Sequence, residues 1–247
     1  MKQFYKSLFE HPRTATLLLS SSLIITLLAL VPAFYVILVL NKFLASGVVS
    51  TLITLTVGTV LAIIYEFVFR QNRQTLMSKF LLHQSHTLLL AMKDKVQKEK
   101  TMPIEISKAL QFVDVTNKQS AMSSVLDVPF QMIFLILITI ISWQLAVVVV
   151  IFLLILFLLN RYKKVFAFTE STTSHIDITL NSLLTVSILG LGSWLAINSL
   201  IPVGSLIGVN ILATRTFMAI NKYLKVNNLI EKRYESIEEL HKFVHSK

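Results

Sequence analysis

Cysteine is absent from the sequence, which excludes disulfides and thiolate metal sites but leaves the compartment open. Charge is the second scarcity. Asp, Glu, Lys and Arg make up 15% of the residues, against about 25% in a soluble domain. Acidic residues are the rarer kind, 13 against 23 basic ones. No carboxylate pair and no Ser/His/Asp grouping shares a depth in the apolar segments, so acid–base and nucleophilic catalysis lack their parts. Glycine numbers six, and none belongs to the G-x-x-x-x-G-K-[ST] loop that cradles a nucleotide's phosphates. His83 and His86 (i, i+3) and His241 and His245 (i, i+4) each share a helix face, but neither pair has a third ligand in view. These absences point away from an enzyme and from any metal or organic cofactor.

What the chain has in abundance is apolar sequence, 54% of its residues. No charged residue occurs between Arg13 and Lys42, Lys42 and Glu66, Asp127 and Arg161, or Asp177 and Arg215, and these gaps hold 28, 23, 33 and 37 residues. A helix needs roughly 20 residues to cross a bilayer. The chain therefore reads as an all-α integral membrane protein, the first two gaps fitting one crossing each and the last two fitting a pair. The N-terminal basic residues followed by an apolar run look like a signal peptide. The run is too long and has no small-residue cleavage site, so it reads as a first crossing over about residues 15–40, with Pro32 as a kink.

Loop charge sets the count. If the 33-residue gap turns back at Trp143 and Gln144, and the 37-residue gap at residues 198–204, then Arg161, Lys163 and Lys164 fall on the same side as the N-terminus. A single crossing in the 33-residue gap would put that basic cluster outside, against the preference of Lys and Arg for the cytoplasmic side. Six crossings with both termini cytoplasmic is the consistent topology, and the net charge of +10 then reflects this bias, not nucleic-acid binding. Residues 1–221 form a six-helix domain that includes a cytoplasmic helical segment over 70–127, broken once at "KEKTMPIEI" by Pro103. Residues 222–247 form an amphipathic cytoplasmic helix with apolar positions at Val226, Ile230, Ile237, Leu240 and Val244. That helix and the lysines at 93, 95, 98 and 100 are candidate docking surfaces, or else solvated helix beside anionic lipid. "GLG" at 190–192 lies inside a crossing, where small residues serve close helix packing.

Three stretches in order carry a resemblance: "LALVPAFYVILVLNKFLASGVVSTLITLTVG" (28–58), "LDVPFQMIFLILITIIS" (126–142) and "IPVGSLIGVNILATR" (201–215). They resemble the transmembrane domain of ABC exporters of the type I secretion branch, the haemolysin- and RTX-type translocators. In the last stretch Gly204, Leu206, Ile207, Asn210, Leu212 and Arg215 match, while Gly208 and Thr214 stand where the family has Ala and Gly. The resemblance implies six helices with cytoplasmic extensions, a bacterial inner-membrane location, and a homodimer or a heterodimer with another exporter half. It also implies a coupling elbow at Met102, Pro103, Ile104, Glu105 and Ile106. Two departures accompany it. The family's nucleotide-binding domain would begin about where residue 247 falls, which implies a separate ATPase subunit. The link between helices four and five, Arg161 to Asp177, is too short for the family's second elbow. The alternative is an exporter-like domain kept as a structural or regulatory subunit of a membrane complex.

Arg215 is the residue that most needs explaining. It lies about ten residues into the last crossing, near the bilayer midplane, where an arginine costs roughly 2.5–3.5 kcal/mol. It must face a bundle interior or a water-filled cavity. One reading has it line a translocation cavity or fix a contact between two halves of a dimer, together with Asn210. The other makes it a structural arginine bonded to backbone or amide groups. Glu66 is within consideration as its partner, but Glu66 sits deeper and has Arg70 at i, i+4 on its own helix as a nearer candidate for an ion pair.

Overall fold

The computed structural model describes residues 12–43, 49–99, 104–118, 120–166 and 170–245. Every element in it is helical. α1 (Pro12–Leu38) runs into a π-helical turn (Val39–Phe43), followed by α2 (Val49–Glu99) and α3 (Ile104–Lys118). A 3₁₀ segment (Ser120–Leu126) leads into α4 (Val128–Ile141), α5 (Trp143–Phe166), α6 (Glu170–Ile197) and α7 (Val203–His245). Five of these, α1, α2, α5, α6 and α7, carry a stretch long and apolar enough to cross a membrane, so the chain is an all-α, multi-pass membrane protein. The expected third crossing is the shorter α4. Its 14 residues span about 21 Å, less than the roughly 30 Å of bilayer hydrocarbon.

Hydroxyl side chains are common inside these spans, and they turn back on their own helices. Thr26 donates to the Ser22 carbonyl at 2.9 Å, Thr56 to Leu52 at 2.8 Å and Thr59 to Leu55 at 2.8 Å. Each bond hides a polar group that lipid cannot satisfy. The break between α4 and α5 is a single residue, Ser142, in extended conformation (φ −159°, ψ 110°). Its amide closes α4 by donating to Ile138 O at 2.8 Å, and its hydroxyl oxygen accepts from the Leu145 amide at 3.5 Å, capping α5. The turn expected at Trp143–Gln144 thus falls one residue earlier, because serine supplies the cap that neither neighbour can. α4 packs on α5, and α5 on α6.

α6 ends in a left-handed turn. The Leu200 amide donates to Leu195 O at 3.0 Å and the Ser199 amide to Ala196 O at 3.0 Å, with Ser199 at φ 57°. This is the paired 6→1 and 5→2 closure that glycine normally provides. Asn198 adds a bond from Nδ2 to Trp194 O at 2.8 Å.

The chain divides into two compact units. One comprises 22–69 and 127–224, with a core that includes Ala29, Ala33, Phe134, Leu184, Val209 and Phe217. The other comprises the described residues of 1–21, 70–126 and 225–247. There, Ile237 and Leu240 of α7 pack with Ile106, Ala109 and Val113 of α3. The expected tail helix is the last part of α7, which runs unbroken from Val203 to His245, and it shares a unit with the described residues of 70–126. On its apolar face Val226, Ile230 and Leu240 are buried within the chain. Val244 and the lysines at 93, 95, 98 and 100 lie outside the residues whose side chains are described.

A left-handed conformation costs a non-glycine residue about 1–2 kcal/mol. Ser199→Gly is therefore expected to stabilise the protein by about 1 kcal/mol, raising its thermal midpoint in micelles, while Ser199→Val lowers it. An unchanged midpoint in both would show that the turn carries no strain.

Candidate functional site

The site is built where α7 meets α1. Residues 204, 208 and 215 of α7 follow one another down a single side of the helix, at spacings of four and seven. At Gly208 an added Cβ would run into the Ile37 side chain and come to 3.4 Å from the Ala33 carbonyl oxygen. The bare glycine surface leaves the room that the Ile37 side chain fills. The pattern Gly204-x-x-x-Gly208 in an apolar helix is the small-residue device that membrane helices use for such approach.

One turn towards the start of α7, an added Cβ at Gly204 would collide with Asn41 and Leu40. Asn41 uses that proximity. Its Oδ1 accepts the Gly204 amide at 3.0 Å and its Nδ2 donates to Ser205 Oγ at 3.4 Å. The first amides of a helix have no partner of their own. Here a side chain from another helix provides one, placed by the π-helical turn that ends α1. On the other side of α7, Gly192 of α6 lies against Leu206, so "GLG" gives close packing at its second glycine, while Gly190 faces open space.

Two turns beyond Gly208, Arg215 reaches α1. Its Nη1 donates to the Ala29 carbonyl oxygen at 2.7 Å and lies 3.7 Å from Glu66 Oε2 of α2. A carbonyl oxygen has two lone pairs, so Ala29 can serve its helix and the guanidinium together. Glu66 is nearly enclosed and Arg215 is not, their side chains being 10% and 32% exposed. α7 begins at Val203, so Arg215 lies twelve residues in, about 18 Å along the axis. One nitrogen of the arginine thus bonds to backbone and also faces a carboxylate. A lone guanidinium at this depth is costly, and each contact lowers that cost.

The other expected site residues fall elsewhere. Glu66, weighed above toward Arg70 on its own helix, is brought to Arg215; Arg70 sits exposed one turn on. Asn210 is half-buried, and its Oδ1 has no donor among the described residues. Five residues separate it from Arg215 along the helix, turning the two about 140° apart, so they do not form one site. Of the expected elbow, Met102 and Pro103 lie outside the described residues, Ile104 and Glu105 open α3, and Ile106 packs against Ala109, Val113 and Leu240.

Sequence reasoning passes over Asn41, the Gly204/Gly208 pair and Ala29. The glycine spacing was a readable signal; a backbone carbonyl leaves none. It also misses Arg233, 1% exposed in the other unit, with Nη2 donating to Leu81 O at 3.4 Å and the guanidinium carbon 5.9 Å from the Tyr234 ring centre. Compared with known families and with curated proteins, the sequence matches no family model and no curated relative.

Removing Arg215 takes away a cation that lies beside the enclosed Glu66 carboxylate. Arg215→Gln is expected to lower stability by about 3 kcal/mol, the low end for a broken buried pair. The double variant Glu66→Gln/Arg215→Gln should lose less than the two single changes summed. A double-mutant cycle of thermal or denaturant unfolding in micelles measures this, and strict additivity would show that the two groups do not interact. The glycine contact has an internal control. Gly208→Val should lower stability by about 1–3 kcal/mol through overpacking against Ile37, whereas Gly58→Val, where an added Cβ meets nothing within 4 Å, should lack that steric penalty. Equal losses at both positions would remove the close contact from the account.

Proposed function

We propose that the chain is a permease-like subunit of a membrane transporter, similar to the transmembrane domain of an ABC exporter of the type I secretion branch. In this reading it crosses the bacterial inner membrane six times, α4 being the shortest crossing, with both termini in the cytoplasm. Two copies, or one copy and another exporter half, enclose the path of the cargo. An ATPase on a partner chain supplies the energy, because no phosphate-cradling loop occurs in these residues.

The observation that carries the reading is the build of α2 and α7. Each begins as an apolar span and continues unbroken as a polar helix, to 51 and 43 residues. At 1.5 Å per residue these are rods of about 76 and 64 Å, more than twice a bilayer's hydrocarbon thickness.

A specific observation favours a second reading, that of a structural or regulatory subunit that moves no cargo. α5 ends at Phe166 and α6 begins at Glu170, so these helices extend only five residues past Arg161 and seven before Asp177. There is little chain here from which to build a second elbow that reaches a neighbouring ATPase.

Purification from native membranes separates the two. With a photo-crosslinker at Ile104, the permease reading expects a co-purifying nucleotide-binding protein that carries the crosslink. An intact complex whose other members include no ATP-binding chain would end that reading and leave the structural-subunit one.

A further inference from the structure

We infer that the core of the unit made of 22–69 and 127–224 binds water on three carboxamides: Gln131 of α4, Asn181 of α6 and Asn210 of α7. The inference does not rest on the transporter reading. Each carboxamide lies on the core-facing stripe of its helix, and the spacing is the same in all three. Gln131 stands three and seven residues before Phe134 and Ile138, Asn181 before Leu184 and Ile188, and Asn210 before Ala213 and Phe217. All six of those apolar residues belong to one buried core. Residues at these spacings share a helix face, so the amides meet that core from three helices.

The oxygens Gln131 Oε1, Asn181 Oδ1 and Asn210 Oδ1 are enclosed and meet no donor among the described residues. Gln131 as a whole is 7% exposed. Hydroxyls near them in sequence do not serve them. Thr185 donates to the Asn181 backbone carbonyl at 3.1 Å, and Thr216 to that of Leu212 at 2.9 Å. A carboxamide brings acceptor lone pairs and two N–H donors, and neither lipid nor an apolar core can satisfy them. Water can, since it both donates and accepts, and it is the usual partner of enclosed polar groups that the fold leaves over. A shared cation fits less well, because the oxygens lie at different depths. α6 and α7 are joined by one turn, and Gly192 near the end of α6 lies against Leu206 near the start of α7. From that turn Asn210 lies about 10 Å along α7 and Asn181 about 24 Å along α6. No single ion bridges such an interval, so the water is held at separate levels of the core.

Solid-state NMR of the isotope-labelled parent protein in lipid bilayers tests this. Proton polarisation that starts on water should reach the side-chain amides of Gln131, Asn181 and Asn210 at mixing times at which the backbone amides of Ile188 and Val149, two fully buried residues of the same core, still receive none. Transferring the sample to heavy water should then erase the three side-chain signals before those two backbone ones. Loss of one signal in each of Gln131→Met, Asn181→Leu and Asn210→Leu assigns the peaks. If a variant does not fold, correlation of each side chain with its own backbone assigns them in the parent. A side chain that receives no polarisation before Ile188 and Val149 do overturns the proposal at its level, and three such side chains overturn it whole. Equally early arrival at Ile188 and Val149 also overturns it, since the core would then be wet throughout and the carboxamides would hold nothing of their own.

Discussion

The near-contact of two backbones, α1 at Ala33 and α7 at Gly208, is what the rest of the larger helical unit depends on. Without a Cβ at 204 and 208 the helices close to a distance at which short groups reach across. Asn41, a small amide, then meets the first-turn amide of α7, and the Ala29 carbonyl comes within one hydrogen bond of Arg215. Arg215, so placed, faces Glu66 of α2 with the same Nη1. A steric fact about two glycines thus becomes an electrostatic one at a third helix.

The order of these dependences follows from the solvent. In water an apolar face drives association by itself; in hydrocarbon it does not, and helices are sorted by packing and by polar groups that would otherwise go unsatisfied. α7 is half enclosed and carries the glycines, the capped amides and the arginine. α2 is apolar nearly throughout its span and is scarcely covered. Both spans carry small and polar residues, yet their attachment differs, because Thr54, Thr56 and Thr59 of α2 turn back on their own helix while Gly204, Ser205 and Arg215 of α7 meet Asn41 and Ala29. The ion pair need not be a large net stabiliser to matter, since the penalty for taking both charges from water offsets much of their attraction. It fixes which helix stands beside which.

Much of this architecture could be read from the residues. Gaps without charge located the spans, since bilayer hydrocarbon excludes charge regardless of detail, and the turns near 142 and 199 followed from local breakers and caps. Arg215 announced itself as a misfit in an apolar run. What stayed hidden was relational. The Ala29 carbonyl carries no sequence mark, Asn41 looks like an ordinary loop polar residue, and the pairing of Glu66 across helices competes with an obvious partner one turn away. The cover of the tail's apolar face stayed hidden for a similar reason: an amphipathic helix shows that one side wants covering, and not whether the cover is another chain or α3 of the same one. Arg233, on that helix, reads as solvated until its neighbours are seen.

Three of the four seams between the two compact units run through the middle of helices, and the fourth, at 126–127, lies between the 3₁₀ segment and α4. α1 passes from one to the other between residues 21 and 22, α2 between 69 and 70, and α7 between 224 and 225, none of them with a loop at the crossing. Severing the units would mean cutting three hydrogen-bonded rods in mid-run, each cut stranding four carbonyls and four amides. Neither unit is thus a module that recombination or a protease could detach whole, and insertions at these seams would break helical register before they lengthened a linker.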